Sequence, residues 1–298
     1  MARYPERLDD WRRAARIAGE ARELGAGLCV PGARRRDVAD AIEGFIRDQG
    51  AQPSFPANLS RNVEAAHFTP GPDDEETLLE GDLVKVDVGA HIDGAIADTA
   101  TTVEVGGGRR HENLRLAARE ALEAGIAVAR AGISVNEIAR AIESAIHARG
   151  LKPIHDLTGH TIEPYLLHAG KSIPNTTGLS HARLEEGEVI AIEPFATNGA
   201  GSIENGAFGN IVRFRSDPGG DDPALAGAFR RFRTLPFALR WLTPAESVAL
   251  GRGRRFLQRY PVFVERGGGL VAQAEHTVLL TASGAEVLTR LPSPQHRS

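Results

Sequence analysis

Apolar and polar residues alternate along this chain with two different periods. In residues 131–154 the apolar side chains recur every three or four positions, and a glycine and a proline follow as stop signals for a helix. In residues 84–100 small and apolar residues alternate with polar ones around Asp93-Gly94, a dipeptide that strongly favours a two-residue hairpin turn. The pattern therefore predicts an amphipathic helix in the first stretch and an antiparallel hairpin in the second.

The helical stretch occurs twice in the sequence. Residues 31–54 align with residues 131–154 without a gap and are identical at eight of 24 positions, too many for a chance match of two helical segments. Each copy follows another helical pattern, near residues 9–29 in the first case and 112–130 in the second. We therefore expect two similar halves, each of which begins with a pair of helices.

A shorter repeat extends the duplication to the strands. Residues 78–87 resemble residues 184–193, since in both copies a glycine leads into an alternating strand that ends on an acid, Asp87 or Glu193. Two units of helix, helix and sheet predict an α/β (α+β) fold with a central antiparallel sheet flanked by helices and a pseudo-twofold axis between the halves. A functional site built by both halves would lie between them.

Residues 202–263 interrupt the repeated plan. They hold the loop signal SDPGGDDP and then short runs that are typical of helices with apolar and arginine faces, so we interpret them as an inserted helical subdomain. The main domain would then comprise residues 1–201 and 264–298. The final segment is expected to return to the sheet as a hairpin that turns at Gly267–Gly269.

Composition narrows the class of protein. Hydrophobic residues make up 42% of the 298 residues and charged residues 25%, as in a soluble globular protein, and no apolar run has the length of a membrane span or signal peptide. The net charge of −4 provides no basic field for DNA. Cys29 is the only cysteine, which excludes an intrachain disulfide and a cysteine-ligated zinc and favours the cytoplasm. Any metal would be held by His, Asp and Glu.

The predicted hairpin carries three acids, a residue type that is depleted in strands. Asp93 falls in the turn, where Asp is common for backbone reasons. If Asp93 and Gly94 form the loop, Asp87 faces Ala100, and Asp98 then lies diagonally from Asp87 on the same face, at the roughly 7–8 Å spacing of diagonal neighbours. Two like charges this close on a packed sheet require either a proton on one of them or a cation between them.

Three further residues have the same character. Glu193 ends an apolar strand, Glu275 interrupts the strand pattern GLVAQAEHTVLL, and His160 directly follows a glycine. Each of them alone is more simply explained by ordinary hydrogen bonds. Together with Asp87 and Asp98 they form an oxygen-rich set that favours Mn, Fe or Co, with Zn possible, and two shared carboxylates can bridge a pair of ions for hydrolysis.

The order and spacing of these five residues resemble the methionine aminopeptidase family, whose fold is the pita-bread fold, and within it the type 2 branch. The helical stretch after EPFAT, which carries TLPFALRWL, is the mark of that branch. The similarity covers nearly the whole chain. The segments that carry it are AAHFTP (65–70), VKVDVGAHIDGAIADTATTV (84–103), LTGHTIEPYLLHAGKSIPN (157–175), AIEPFATNGAG (191–201) and AQAEHT (272–277).

The resemblance implies how the candidate ligands divide between two divalent metal ions (Co, Mn, Fe or Zn). Asp87 would chelate one ion, His160 and Glu193 would hold the other, and Asp98 and Glu275 would bridge them. Asp87 and Glu193, which the repeat relates, would then be equivalent ligands. A water activated by the ions would hydrolyse the amide after an N-terminal methionine that precedes a small residue, and Glu193 would transfer its proton to the leaving amine.

The same resemblance adds residues that geometry alone does not select. His67 would lie beside the scissile amide, and His168 would hydrogen-bond the substrate carbonyl or amide nitrogen. Phe55 and Leu167 would form part of the pocket for the methionine side chain. Ala274 departs from the family, which usually has an aromatic residue there, and strand alternation places it on the face opposite Glu275, in the packing behind the site.

Two other functions share parts of this pattern. Proline-directed aminopeptidases have the same fold but carry a separate N-terminal domain and lack the helical stretch, and a non-catalytic relative that binds the ribosome or RNA would lose metal ligands. Residues 213–266 hold eleven Arg against five acids, a bias that fits either a contact with ribosomal RNA or ordinary solvated helix faces. We expect a cytoplasmic monomer that acts on nascent polypeptide N-termini and binds neither DNA nor membranes.

Overall fold

The helices of this protein pack through one apolar face onto antiparallel sheets. The computed structural model describes residues 5–180 and 182–292, so the predicted ends of the main domain, at residues 1 and 298, lie outside the described residues. The helices within them are α1 (Leu8–Leu28), α2 (Arg35–Asp48), α3 (Glu112–Val128), α4 (Val135–Ala148), α5 (Pro223–Phe232) and α6 (Pro244–Arg252). The start of α4 is fixed by a capping box, in which Ser134 and Glu137 satisfy each other's backbone N–H groups.

The strands form four antiparallel sheets in this part of the chain. They are β1 (Gln52–Arg61), β2 (Glu64–Ala66), β3 (Leu83–Ile92), β4 (Ala95–Glu104), β5 (Lys152–Pro153), β6 (Thr158–Ile162), β7 (Ser172–Pro174), β8 (Val189–Ile192), β9 (Phe195–Thr197), β10 (Ile203–Phe214), β11 (Phe237–Ala238), β12 (Leu257–Glu265), β13 (Val271–Gln273), β14 (His276–Leu280) and β15 (Ala285–Val287). Their orders are β1-β3-β4, β11-β10-β12-β2, β13-β9-β5 and β15-β14-β8-β6-β7. The predicted mixed architecture of helices and antiparallel strands is confirmed.

The two helix pairs, α1 with α2 and α3 with α4, pack on their sheets at equivalent glycines. A Cβ at Gly25 in α1 would lie 2.5 Å from Ile42 Cδ1 of α2 and 2.9 Å from Val86 Cγ1 of β3. A Cβ at Gly125 in α3 would lie 3.2 Å from the side chains of both Ile142 in α4 and Ile192 in β8. Because each contact maps onto the other through the sequence repeat, the close approach of helix, helix and sheet is duplicated.

Loop hydrogen bonds repeat in the same way. The backbone N–H of Gly32 donates to the carbonyl of Leu78 at 2.8 Å, and that of Gly132 donates to Leu184 at 2.7 Å. Both glycines have a positive φ, 83° and 79°, which explains why glycine stands in each copy. The predicted internal duplication is therefore visible in local backbone geometry as well as in helix order.

The hairpin of β3 and β4 has the predicted register. Asp87 pairs with Ala100 and Ile92 pairs with Ala95, so the loop consists of Asp93 and Gly94. Their φ angles of 46° and 90° are both left-handed, as a tight hairpin turn of this hand requires. Asp87 and Asp98 consequently project from one face of the hairpin, whereas Asp93 lies in the exposed turn.

The end of the chain differs from its prediction. The segment around Gly267–Gly269 is not a hairpin, because β12 before it pairs with β10 and β2, whereas β13 after it pairs with β9 in another sheet. The glycines therefore carry the chain between sheets. Within residues 202–263, only α5 and α6 are α-helices, and β10 before them pairs with β12 after them as the two inner strands of a four-stranded sheet. The division into a main domain and an inserted subdomain stays a prediction.

The two halves meet at a seam made largely by threonine hydroxyls. Backbone bonds between β4 and residues 273–277 are confined to the Ala100–Glu275 pair. Beside that pair, Thr277 Oγ1 accepts from Asp98 N–H and donates to the Asp98 carbonyl, both at 2.7 Å. Two other hydroxyls complete what we call the threonine seam, Thr99 Oγ1 donating to the Glu275 carbonyl at 2.8 Å and Thr102 Oγ1 to the Gln273 carbonyl at 2.7 Å.

Replacement of Thr277 tests the seam. Thr277→Val keeps the shape of the side chain but leaves the N–H and carbonyl of Asp98 without partners in a buried position. We expect the free energy of unfolding of the metal-free protein, measured with urea, to fall by about 2–3 kcal/mol. Thr101→Val is the matched control on β4, because Thr101 is half-exposed and outside the seam. Equal losses in the two variants would contradict the assigned role of the seam.

Candidate metal centre

Five strand or strand-end positions direct acidic and imidazole groups towards the junction of the two halves. Asp87 and Asp98 come from the β3–β4 hairpin, and His160 lies in β6. Glu193 directly follows β8, and Glu275 lies between β13 and β14, at the Ala100 bridge. Strand alternation explains the common direction of these side chains, since every second residue of a strand faces the same side.

A single cavity of about 220 Å³ collects all nine residues that the sequence and the resemblance singled out. The structure thus brings together ligand candidates, histidines and pocket residues that are up to 220 positions apart in the chain, the separation between residues 55 and 275. Their individual roles stay predictions. The nine residues are Phe55, His67, Asp87, Asp98, His160, Leu167, His168, Glu193 and Glu275.

Within the cavity, several ligand atoms lie within the reach of a single ion. One atom each of Asp98, His160 and Glu275 lies within 4.8 Å of the other two. His160 Nε2 is 3.6 Å from Asp98 Oδ2 and 3.5 Å from Glu193 Oε1. Gln273 Nε2 donates to Glu275 Oε2 at 3.3 Å and so orients that carboxylate from behind.

The carboxylates repel one another strongly in this buried setting. Burial raises the pKa of Asp87 to about 7. Burial, and next the charge of Asp87, raise the pKa of Asp98 well above its usual value. For Glu193 and Glu275 the pKa is also well above the usual value, through burial first and then through the neighbouring carboxylates. Four ionised carboxylates therefore require compensating positive charge at this position.

The donor atoms fit divalent cations. One oxygen of each of Asp87, Asp98 and Glu275 is buried without a hydrogen-bond partner in the described chain, although buried polar atoms are normally paired. Burial, followed by the charge of His168, lowers the pKa of His160, so its imidazole is in the neutral form that binds metals. Carboxylate oxygens with one imidazole suit Mn, Fe, Co or Zn.

The two other histidines are neutral as well. Burial, and next the electrostatic interaction with His168, lower the pKa of His67 to about 4. Burial, and next the charge of Arg213, lower the pKa of His168 to about 4. The His67 ring lies between aromatic rings of β12, with centroids 5.2 Å from Tyr260 and 4.5 Å from Phe263. A neutral imidazole has one donor and one acceptor, which suits hydrogen bonding to an uncharged amide.

Apolar side chains line the same cavity as the carboxylates, and we call them the apolar wall. Phe55 and Leu167 belong to it as the resemblance implied, and Phe195, Ile211 and Phe263 extend it. Sequence reasoning did not select Phe195, Ile211 or Phe263 as site residues. The alternating pattern LQRYPVFVE, which forms β12, places Phe263 on a strand but does not indicate which cavity that strand lines.

Asn58 and Tyr260 are polar lining residues that the sequence did not single out. Asn58 pairs with Asp87 across β1 and β3, and its side-chain oxygen is buried without a hydrogen-bond partner in the described residues. Its position follows from the register of β1 with β3, which no local pattern in residues 52–61 announces. Burial raises the pKa of Tyr260, so its hydroxyl stays protonated and available as a donor.

Ala274 lies behind the site, as strand alternation predicted. It packs with the buried residues under α3 and α4 rather than facing the carboxylates. Together with His276 it lines a separate cleft of about 410 Å³ between α1 and α3. The small side chain at this position therefore lies outside the cavity that contains the candidate ligands.

Known proteins resemble this chain over most of its length. Residues 9–282 match the family described as metallopeptidase family M24. The chain is 46% identical over 283 residues to a methionine aminopeptidase of Archaeoglobus fulgidus, covering 93% of this chain and 96% of that protein. It is also 46% identical over 296 residues to a methionine aminopeptidase of Pyrococcus abyssi, covering 95% of this chain and 99% of that protein.

Solved structures share the fold. A methionine aminopeptidase of Thermotoga maritima matches with a TM-score of 0.74 at 24% identity, covering 98% of this chain and all of that chain (100%). A thermophilic Arx1 matches with a TM-score of 0.82 at 20% identity, covering 99% of this chain and 93% of the Arx1 chain. A prolidase of Pyrococcus furiosus matches with a TM-score of 0.63 at 19% identity, covering 98% of this chain but 66% of the prolidase. At these identities the likeness concerns the fold alone.

The raised pKa of Asp87 predicts an unusual pH dependence of stability. The folded metal-free protein holds this proton up to about pH 7, whereas the unfolded chain loses it near 3.8. The contribution of the Asp87 carboxyl to the free energy of unfolding is therefore fully present below pH 3.8. It falls by about 1.4 kcal/mol per pH unit as the pH rises towards 7. Asp87→Asn removes the effect, so the variant should gain stability over the parent across this window.

Urea unfolding of both proteins at several pH values, with and without Mn²⁺, measures the effect. In the presence of Mn²⁺ we expect the sign to reverse, since the variant has lost an anionic ligand and binds the stabilising ion more weakly. A difference between the two metal-free proteins that does not change between pH 4 and pH 7 would contradict the burial of an ionisable Asp87.

Proposed function

This chain is a member of metallopeptidase family M24, and from that premise we infer that it is a metal-dependent aminopeptidase that removes N-terminal methionine from polypeptides. The convergence of the candidate ligands in one cavity supports this inference most strongly. Four carboxylates and a neutral imidazole converge in a cavity that also has an apolar wall and two further neutral histidines. Hydrolysis of an amide next to an apolar side chain uses each of these parts.

We propose that the five converging residues hold two divalent ions. Asp87 would bind one ion and His160 with Glu193 the other, whereas Asp98 and Glu275 would bind both. The proximity of Asp98, His160 and Glu275 supports this division, as does the position of Glu193 near His160. Divalent ions at such a position supply Lewis acidity, which lowers the pKa of water and polarises a carbonyl.

The chain's own groups would handle protons and charge. Glu193 lines the cavity with its Oε1 3.5 Å from His160 Nε2, and it would accept a proton from the attacking water. It can then deliver that proton to the departing amine. His168 and His67 can donate hydrogen bonds to the substrate amide as neutral groups, which stabilises charge that develops on the carbonyl oxygen.

The apolar wall would select the first side chain of the substrate. Phe55, Leu167 and Phe195 are buried and line the cavity beside the carboxylates. An unbranched thioether fits such a wall well, because methionine is flexible and polarisable and makes favourable contacts with aromatic rings. The limited volume of the cavity supports a preference for a small second residue.

The alternative functions have less support. A proline-directed peptidase has less support, because this chain is 19% identical to the P. furiosus prolidase but 46% identical to the methionine aminopeptidase of P. abyssi. A purely non-catalytic role is disfavoured because the complete ligand set converges in one cavity. The buried and costly charge of that set has no purpose in a binding protein.

We propose that the substrates are nascent polypeptide N-termini and that the enzyme acts as a cytoplasmic monomer. No helix of the described residues is long and apolar enough to cross a membrane. Contact with the ribosome stays a prediction. Three exposed arginines follow one another closely at the end of α5, namely Arg230, Arg231 and Arg233. Arg231 pairs with Glu246 and Arg233 lies over the Tyr165 ring, so Arg230 is the most available of the three for a phosphate of RNA.

The activity itself is tested with two peptides. After removal of metals by a chelator, addition of Mn²⁺, Fe²⁺ or Co²⁺ should restore release of methionine from Met-Ala-Ser, and release from Met-Lys-Ser should stay low. Chromatographic measurement of free methionine gives the rates. Release from neither peptide with any of these ions, or equal release from both, would contradict the proposed activity or its preference.

The bridging ligands are tested by Asp98→Ala and Glu275→Ala. We expect each change to lower methionine release by more than about 100-fold and to reduce the metal content per protein, because one carboxylate would serve both ions. Asp93→Asn is the matched control in the same hairpin, since Asn tolerates the left-handed turn and Asp93 lies outside the cavity. Full activity and full metal content in the Ala variants would refute the assignment.

A further inference from the structure

Both histidine-bearing loops contain a residue in an unfavourable backbone conformation. His67, which directly follows β2, has φ 66°, and Tyr165, three residues before His168, has φ 60°. Left-handed φ is uncommon for residues other than glycine, and such residues persist only where their surroundings over-determine them. The question is therefore which part of the molecule holds these two loops in place.

One short segment contacts both loops. Residues 233–241, which we call the clamp segment, follow α5 and include β11, and β11 pairs with β10 through Phe237 and Val212. Its first residues lie on the loop of His168 and its last residues lie on the loop of His67. Between them, Leu235 is buried in the core shared with α1 and Tyr165, and Pro236 lines the cavity.

At its C-terminal end the clamp segment inserts Arg240 beside the loop of His67. Arg240 Nη1 donates to Thr69 Oγ1 at 2.8 Å and to the Pro70 carbonyl at 3.2 Å. Thr69 Oγ1 in turn donates to the Ala57 carbonyl of β1 at 2.9 Å. The guanidinium therefore joins the chain just after His67 to the strand that carries Phe55 and Asn58.

Arg240 is itself fixed by a buried carboxylate. Its side chain is 5% exposed, that of Glu43 in α2 is 2% exposed, and Arg240 Nη2 donates to Glu43 Oε1. Glu43 also accepts from Trp241 Nε1 at 2.6 Å and from the N–H of Ala57 at 3.1 Å. The planar guanidinium of Arg240 makes several hydrogen bonds in this buried position, and the single ammonium group of a lysine does not reproduce their geometry.

At its N-terminal end the clamp segment lies on Tyr165. Thr234 Oγ1 donates to the Tyr165 carbonyl at 2.6 Å, and the Arg233 guanidinium lies 4.2 Å from the centre of the Tyr165 ring. The Tyr165 N–H donates to the Gly94 carbonyl at 3.1 Å, and a Cβ on Gly94 would overlap the Tyr165 ring. Tyr165 is thus held between the clamp segment and the turn of the hairpin that carries Asp87 and Asp98.

We propose that the clamp segment is a positioning device for both histidines. Arg240 sets the loop of His67 and Thr234 sets the loop of His168, while the metal ligands are held separately by the sheet and the threonine seam. Loosening either end slows hydrolysis without weakening metal binding. This inference rests on the proposed function, and it assigns a role in the reaction to residues that do not touch the substrate.

The kinetic test uses Arg240→Lys and Thr234→Val in the metal-loaded enzyme. We expect kcat for Met-Ala-Ser to fall about 10- to 100-fold in Arg240→Lys, as for a misplaced catalytic group, with KM changed much less. For Thr234→Val we expect a fall of about 2- to 12-fold, the effect of one lost neutral hydrogen bond. Arg252→Lys is the matched control, since Arg252 of α6 pairs with Asp222, which caps the start of α5, and neither residue lines the cavity; it should leave kcat unchanged.

Two further measurements separate positioning from general destabilisation. Metal titration should give the parent affinity in all three variants. In spectra of protein labelled at histidine, Arg240→Lys should shift or broaden the signal of His67 and leave that of His168, and Thr234→Val should do the reverse. Because the two ends are separate, their effects on kcat should multiply in the double variant.

Specific outcomes would overturn the proposal. Folded Arg240→Lys and Thr234→Val proteins with parent kcat would do so, as would histidine signals that respond equally to both changes or a loss of metal affinity that accounts for the slower rate. If Arg240→Lys does not fold, Thr69→Val removes the hydroxyl that joins Arg240 to the Ala57 carbonyl and should give the same His67 response. Absence of methionine release by the parent enzyme would instead refute the proposed function, so the two failures are distinguishable.

Discussion

The constraint on which this structure depends is the repulsion among four buried carboxylates. Burial and mutual charge raise the pKa of Asp87, Asp98, Glu193 and Glu275, so the metal-free site can be occupied only by protonated groups or at a cost in stability. A chain selected for stability alone would place apolar residues there. The surrounding architecture is best understood as the means of holding these groups together until cations neutralise them.

The duplicated fold distributes the buried acids between its two halves. Each half supplies one acid from the repeated segment, Asp87 within β3 and Glu193 directly after β8, and the other candidate ligands come from the junction or beside it. At that junction the sheets are joined by threonine hydroxyls on both sides of the Ala100–Glu275 bridge. Asp98 and Glu275, which are proposed to bind both ions, are thereby fixed relative to each other by the Ala100–Glu275 backbone bridge and by threonine hydroxyls that bond the backbone of both residues.

Local patterns explain what the sequence could predict. The helix pairs and the β3–β4 register depend on periodicity and on a two-residue turn, which act over a few residues. The nine candidate site residues, which line one cavity, were selected because they lie in specific motifs that occur in order, and their roles stay predictions. The pairing partner of β12, the threonine seam, and the positions of Asn58 and Tyr260 depend on contacts between segments more than a hundred residues apart or on strand register. Neither long-range contacts nor strand register leaves a signal in the local sequence. The glycines Gly267–Gly269 fit a hairpin turn as well as a crossing between sheets.

The proposed metal centre is tested most directly by a crystal structure of the protein loaded with Mn²⁺, with anomalous scattering recorded at a wavelength where manganese contributes. We expect two anomalous peaks in the cavity, both contacted by Asp98 and Glu275, one also by Asp87 and the other by His160 and Glu193. Manganese peaks absent from this cavity, or bound without these carboxylates in a protein that still releases methionine, would contradict the two-ion assignment.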